Sequence, residues 1–85
     1  MKSWKMYVVE CADGTLYTGI TNNMERRLLE HNFGMRGAKY TRSRRPVRLV
    51  FSIECASHSE AAKKEAKFKK LKKQDKLRII NDQGW

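Results

Sequence analysis

Proline occurs once in the 85 residues, at position 46, and cysteine twice, at positions 11 and 55. Two cysteines with no C-x-x-C neighbour do not make a zinc site, so Cys11 and Cys55 are expected as reduced, half-buried thiols of a cytoplasmic protein. Acids are scarce. Nine Asp and Glu face nineteen Lys and Arg, for a net charge of +10 and a pI near 10.0. No apolar run is long enough to cross a bilayer, so no membrane segment is expected, and no repeat or low-complexity tract is present. The positive field attracts polyanions and speeds their encounter, which makes nucleic acid the expected partner ahead of a ribosome-associated or protein-binding role.

Apolar residues still make up 40% of the chain, enough for one small domain over residues 1–85 with a thin core. The segment "KMYVVEC" (residues 5–11) is rich in β-branched and aromatic residues; "ADG" and then "TLYTGI" follow it. Two strand-like runs around an Asp-Gly pair predict a hairpin. Its register decides where Tyr7 and Tyr17 point. A two-residue turn sets Cys11 opposite Leu16 and puts the tyrosines on opposite faces. A three-residue loop with a bulge sets Cys11 opposite Thr15, and both tyrosines then share a face, with Tyr7 opposite the side-chain-free Gly19. The bulged register is the expected one.

Asn22 with Glu25 three residues on is a capping-box pattern, predicting a helix to about Asn32 with Met24, Leu28 and Leu29 as its core stripe. Arg27 and His31, one turn apart, lie on one flank of that stripe. "FGMRGAKYTRSRRP" reads as a loop from its glycines and closing Pro46. "VRLVFSIE" alternates, with Val47, Leu49, Phe51 and Ile53 on one face, and predicts a third strand. Ser57 and Glu60 repeat the capping pattern and open a helix to about Lys73. A last helix, about Gln74 to Asn81, is expected to pack Leu77, Ile79 and Ile80. The order β-β-α-β-α-α is that of an α+β domain on a small antiparallel sheet.

Glu65 does not fit its surroundings in this pattern. At about 100° per residue, Ala61, Ala62 and Phe68 fall on either side of it, in the middle of the face that should meet the sheet. An unpaired carboxylate buried there costs several kcal/mol or takes up a proton. A buried arginine or a bound divalent cation would offset that; the alternative is a solvated glutamate paired with Lys69.

Taken together, these residues resemble the GIY-YIG nuclease domain over nearly the whole chain, from Tyr7 to about Leu71. "MYV" stands at the GIY position and "YTG" at the YIG position, with the family's ten-residue spacing between tyrosines. "NNMERRLLEHN" is similar to the helix that carries the family's catalytic arginine and a histidine or tyrosine one turn later. "SEAAKKEAKFKKL" resembles the helix whose second glutamate binds the metal. The string "DGTLYTGITNN…RGAKYTRSRRPVRLV" most resembles the small stand-alone bacterial branch. There are departures: "MYV" lacks the first-motif glycine, Ile20 stands where excision-repair relatives carry a lysine, and the family's late asparagine has no clear counterpart.

The resemblance implies a three-stranded antiparallel sheet flanked by helices. It also implies a hydrolase cutting DNA phosphodiester bonds, a structure-specific endonuclease of branched or single-strand-containing substrates such as those of DNA repair. Tyr7, Tyr17, Arg27 and His31 take the catalytic positions. Glu65 takes that of the ligand to one Mg²⁺ or Mn²⁺, with no small-molecule cofactor. Arg27 would hold a non-bridging phosphate oxygen. Tyr7 or Tyr17 would accept the proton of the attacking water, Tyr7 being favoured, with His31 as competitor or relay, provided that nearby cations lower a tyrosine's ordinary pKa near 10. Arg36, Lys39, Arg42, Arg44 and Arg45 would track the phosphate backbone, with Tyr40 stacking on a base or packing on the hairpin. The alternatives are an inactive nucleic-acid-binding module on the same fold and a protein-interaction domain.

Overall fold

The computed structural model describes residues 3–34, 36 and 38–85. Three antiparallel strands, β1 (Trp4–Glu10), β2 (Leu16–Thr21) and β3 (Arg48–Cys55), form one sheet in the order β2-β1-β3. The fold is therefore α+β on an antiparallel sheet, as expected. The hairpin takes the bulged register. Cys11 N–H donates to Thr15 O at 2.8 Å, and Gly14 supplies the left-handed backbone of the turn with φ +83°. Asp13 Oδ1 accepts from the Thr15 amide and hydroxyl, which pins the loop. Tyr7 pairs with Gly19 and Val9 with Tyr17, so both phenol rings stand on one face.

β3 departs from clean alternation. Val8 pairs with Phe51 but Val9 pairs with Leu49, so a bulge takes up Val50 and reverses the parity of the strand. Phe51 and Ile53 join the core on the Met6 side, while Val47 crosses to the Tyr7 side and Leu49 is exposed. The sheet thus carries a small core on each face. One gathers Met6, Val8, Phe51, Cys55, Ala61, Phe68 and Ile79; the other gathers Tyr7, Val9, Cys11 and Val47. Both cysteines are free and fully rather than half buried.

Helix α1 (Met24–Phe33) packs on the Tyr7 side through Met24, Leu28 and the buried His31. Its cap is Asn23, one residue later than the capping pattern implied. Asn23 Oδ1 accepts from the Arg26 amide, while the Thr21 hydroxyl accepts from the Asn23 amide. Leu29 is 60% exposed, because His31 rather than Leu29 fills the inward stripe. The segment read as a loop contains a one-turn helix, α2 (Lys39–Arg42); Gly37, part of its glycine signal, lies outside the described residues. α3 (His58–Lys70) and α4 (Lys73–Asp82) cover the other face. Ser57 caps α3 by accepting from the Glu60 amide, and Glu60 reaches back to the Ala56 amide. α3 stops three residues earlier than expected, at a cap on Leu71, and in α4 Leu77 stays exposed while Ile79 is buried.

Candidate active site

Tyr7 lies on the central strand and is 1% exposed, and His31, on α1 above it, is 0% exposed. Tyr7 Oη and His31 Nε2 are 2.7 Å apart. The Arg27 Nε–H donates to the same phenol oxygen at 3.3 Å. Arg27 Nη1 donates to Glu30 Oε1 at 3.1 Å and to the Arg36 carbonyl at 2.8 Å, so the guanidinium plane is held from three sides. The other ring nitrogen, His31 Nδ1, lies 2.8 Å from Thr41 Oγ1, and that hydroxyl donates to the Ala38 carbonyl at 3.0 Å. Tyr17, half-buried, sets the edge of its ring against His31 at 5.3 Å between centroids.

Gly19 makes this packing possible. A Cβ at that position would fall 2.6 Å from Tyr7 Oη and 2.7 Å from Cζ, far inside contact distance. The phenol therefore rests on the backbone of β2, and its hydroxyl can reach α1.

Burial dominates the electrostatics. It pushes the Tyr7 phenol up to about 12 against the opposing pull of Arg27, with Tyr17 and Glu65 adding to the rise. Burial also pulls His31 down to about 4, with the Arg27 charge acting in the same direction. The sequence reading wanted a tyrosine lowered by its cations; here the loss of water outweighs the guanidinium. The resting pair is a neutral phenol against a neutral imidazole.

Glu65 projects from α3, which packs on β1 and β2 from the opposite face. It is not an unpaired buried carboxylate. Its Oε2 lies 3.3 Å from Lys69 Nζ, with the glutamate side chain 24% exposed. Among the described residues no group of three or more His, Cys, Asp or Glu converges as a metal cage.

The cationic segment is divided in use. Arg45 lies over the C-terminal end of α1, donating to the carbonyls of Glu30, His31 and Gly34. Arg44 is paired with Asp13 at 3.0 Å, donates to Tyr40 O, and lies 4.0 Å over the Tyr40 ring. Tyr40 also stacks on Tyr17, so it packs on the hairpin. Arg36 and Lys39 are exposed. Sequence reasoning missed Thr41 and Asn32. Asn32 exchanges two hydrogen bonds with the Val47 backbone and ties α1 to the residue that leads into β3. A buried threonine in a loop-like segment carries no pattern that would single it out.

An antiparallel hairpin with a tyrosine on each strand, an arginine and histidine on the following helix, and a glutamate on the helix behind define a recognisable class. Residues 3–78 match the GIY-YIG catalytic domain, and the chain belongs to that family of nuclease domains. It is similar to small proteins whose names state no activity. The UPF0213 protein DP2720 of Desulfotalea psychrophila is 53% identical over 78 residues, covering 92% of this chain and 71% of that one. The UPF0213 protein SAG0778 of Streptococcus agalactiae is 55% identical over 75 residues, covering 88% and 84%. Among solved structures, the solution NMR structure of the UPF0213 protein BH0048 from Bacillus halodurans matches with a TM-score of 0.62 at 38% identity, covering 96% of this chain and 86% of that one. That of EF2693 from E. faecalis matches with a TM-score of 0.63 at 48% identity, covering 95% and 86%.

Proposed function

We propose that this chain is a structure-specific endonuclease, hydrolysing phosphodiester bonds of branched or single-strand-containing DNA with one Mg²⁺ or Mn²⁺. The observation that carries the reading is the 2.7 Å contact between Tyr7 and a fully buried histidine, with Arg27 on the same phenol oxygen. A single half-buried carboxylate suits Mg²⁺, which keeps most of its waters and takes further ligands from phosphate; Glu65 would hold it once Lys69 is displaced. When bound, such an ion supplies Lewis-acid stabilisation of the leaving oxygen.

The chain's own residues account for the rest. Arg27, its plane set by Tyr7, Glu30 and Arg36, would grip a non-bridging phosphate oxygen. Beyond burial, the charges of Arg27 and then Arg45 hold His31 down against the opposing Glu30. A phosphate on Arg27 neutralises that charge and makes Nε2 a better acceptor when substrate is present. Tyr7 Oη then takes the proton of the attacking water as its own proton passes to Nε2. Tyr17 walls this pair, its ring against His31 on one side and Tyr40 on the other. Phosphate tracking falls to Arg36 and Lys39, together with exposed lysines of α3 and α4, more than to Arg44 and Arg45. The free, buried cysteines suit a reducing compartment such as the cytoplasm.

The test is cleavage of branched and single-strand-containing DNA with Mg²⁺ or Mn²⁺. Glu65→Ala and Arg27→Ala are each expected to abolish it, and undiminished cleavage in both would remove the assignment. The Lys69 ion pair favours a second reading, an inactive nucleic-acid-binding module. Wild-type binding without metal-dependent cleavage would select it.

A further inference from the structure

Counting hydrogens gives the buried network a direction. The Thr41 hydroxyl, 0% exposed, has one hydrogen, and the Ala38 carbonyl 3.0 Å away can only accept it. The Thr41 oxygen is then the acceptor in its 2.8 Å contact with His31, so Nδ1 carries a hydrogen. In a neutral ring Nε2 is left with its lone pair, and Tyr7 is the donor across 2.7 Å. The other end of the network gives the same answer. The second partner of Tyr7 is Arg27, which can only donate. If His31 Nε2 also donated, the Tyr7 hydrogen would be buried without an acceptor in the network, at a cost of about 1–3 kcal/mol. From Arg27 through Tyr7, His31 and Thr41 to Ala38, every hydrogen bond points the same way.

We propose that Thr41 is a positioning residue of this site: its hydroxyl, committed as a donor to the Ala38 carbonyl, holds His31 in the Nδ1–H tautomer, so that a lone pair faces the Tyr7 hydroxyl. The catalytic meaning of this rests on the reading of Tyr7 and His31 as the proton acceptor; the tautomer itself does not. In the step concerned, the Tyr7 O–H bond breaks as the Nε2–H bond forms, and the water's proton bonds to Tyr7 Oη. The imidazolium keeps its Nδ1–H on Thr41. The opposite tautomer would present an N–H to the phenol and close this route.

Long-range proton–nitrogen NMR of the metal-free protein at neutral pH tests the proposal without nucleic acid. Wild type and Thr41→Ser are expected to show a protonated Nδ1 and an unprotonated Nε2 at His31. Thr41→Val, which keeps the shape and removes the hydroxyl, is expected to weaken that preference, because Nδ1–H then lacks its acceptor and only the Tyr7 end of the network still favours it. A protonated Nε2 in the wild type overturns the proposal whether or not the valine variant folds. So does an unaltered tautomer ratio in Thr41→Val. On a cleaved substrate, Thr41→Val should lower kcat roughly 10- to 100-fold, less than the ~10²–10⁴-fold of a whole general base, with KM little changed and recovery in Thr41→Ser. An undiminished kcat overturns the positioning role. Absence of cleavage in the wild type would count against the nuclease reading and leave the NMR result to decide the tautomer.

Discussion

Replacing Gly19 with alanine adds one methyl group to a strand, a change that elsewhere stabilises by about 0.5–1 kcal/mol because glycine loses more freedom on folding. Here the sign should reverse. The new Cβ would lie 2.6 Å from Tyr7 Oη, 2.7 Å from Cζ and 3.0 Å from Cε1, so the ring must retreat by about 1 Å to reach ordinary contact. Tyr7 is 1% exposed, with Val9 and Cys11 in the same core, and has nowhere to go without disturbing them. Overpacking of this kind costs about 1–3 kcal/mol. Pulling the hydroxyl off His31 and Arg27 adds about 1–3 kcal/mol for buried groups left unpaired. For a domain of this length each kcal/mol lowers Tm by about 4–8 °C, so a fall of roughly 10 °C or more is expected in thermal denaturation. Urea titration should show the same loss, and cleavage should fall with it. Gly19→Ala as stable as the wild type, or more so, would refute the packing argument.

Two further outcomes concern charge. The folded-state pKa of His31, about 4, lies below the ordinary 6.5, so its neutral burial contributes fully above pH 6.5 and is lost as pH falls towards 4. The loss should approach about 3 kcal/mol relative to His31→Gln, measured by urea unfolding from pH 7 to 4.5; parallel stability profiles would refute it. In DNA binding measured by fluorescence anisotropy without divalent metal, Arg36→Gln with Lys39→Gln should reduce the slope of log K against log salt by up to about two units. Arg44→Gln should reduce it by less than one, because Asp13 already neutralises that guanidinium. Equal reductions would restore Arg44 to the phosphate-tracking set.

The legible parts of this chain were those governed by local rules. Hairpin parity followed from loop length, and it alone put Tyr7 and Tyr17 on one face with Gly19 opposite Tyr7. Ser57 and Glu60 marked the start of α3 because an N-cap is a contact between near neighbours. Non-local geometry stayed hidden. The bulge that absorbs Val50 responds to pairing with β1, and no alternation pattern within β3 reveals it. His31 read as a residue on the flank of the core stripe, and its complete burial did not show, since only the approach of Tyr7 and Thr41 makes that burial tolerable. Five cations in one segment looked equivalent, yet Arg45 serves carbonyls of α1 and Arg44 serves the hairpin. Glu65 stood out by its place on the apolar arc of α3, and the half-buried carboxylate pairs with Lys69 one turn on, which is the alternative the spacing had also left open.

β1 is enclosed on both sides: Met6, Tyr7, Val8 and Val9 are all shut away from solvent, and both neighbouring strands bond to it. Its backbone amides can meet solvent only when the whole molecule opens, so the phenol of Tyr7 inherits the lifetime of the native state. Any adaptation of the molecule to what it binds has to come from the segments around that strand.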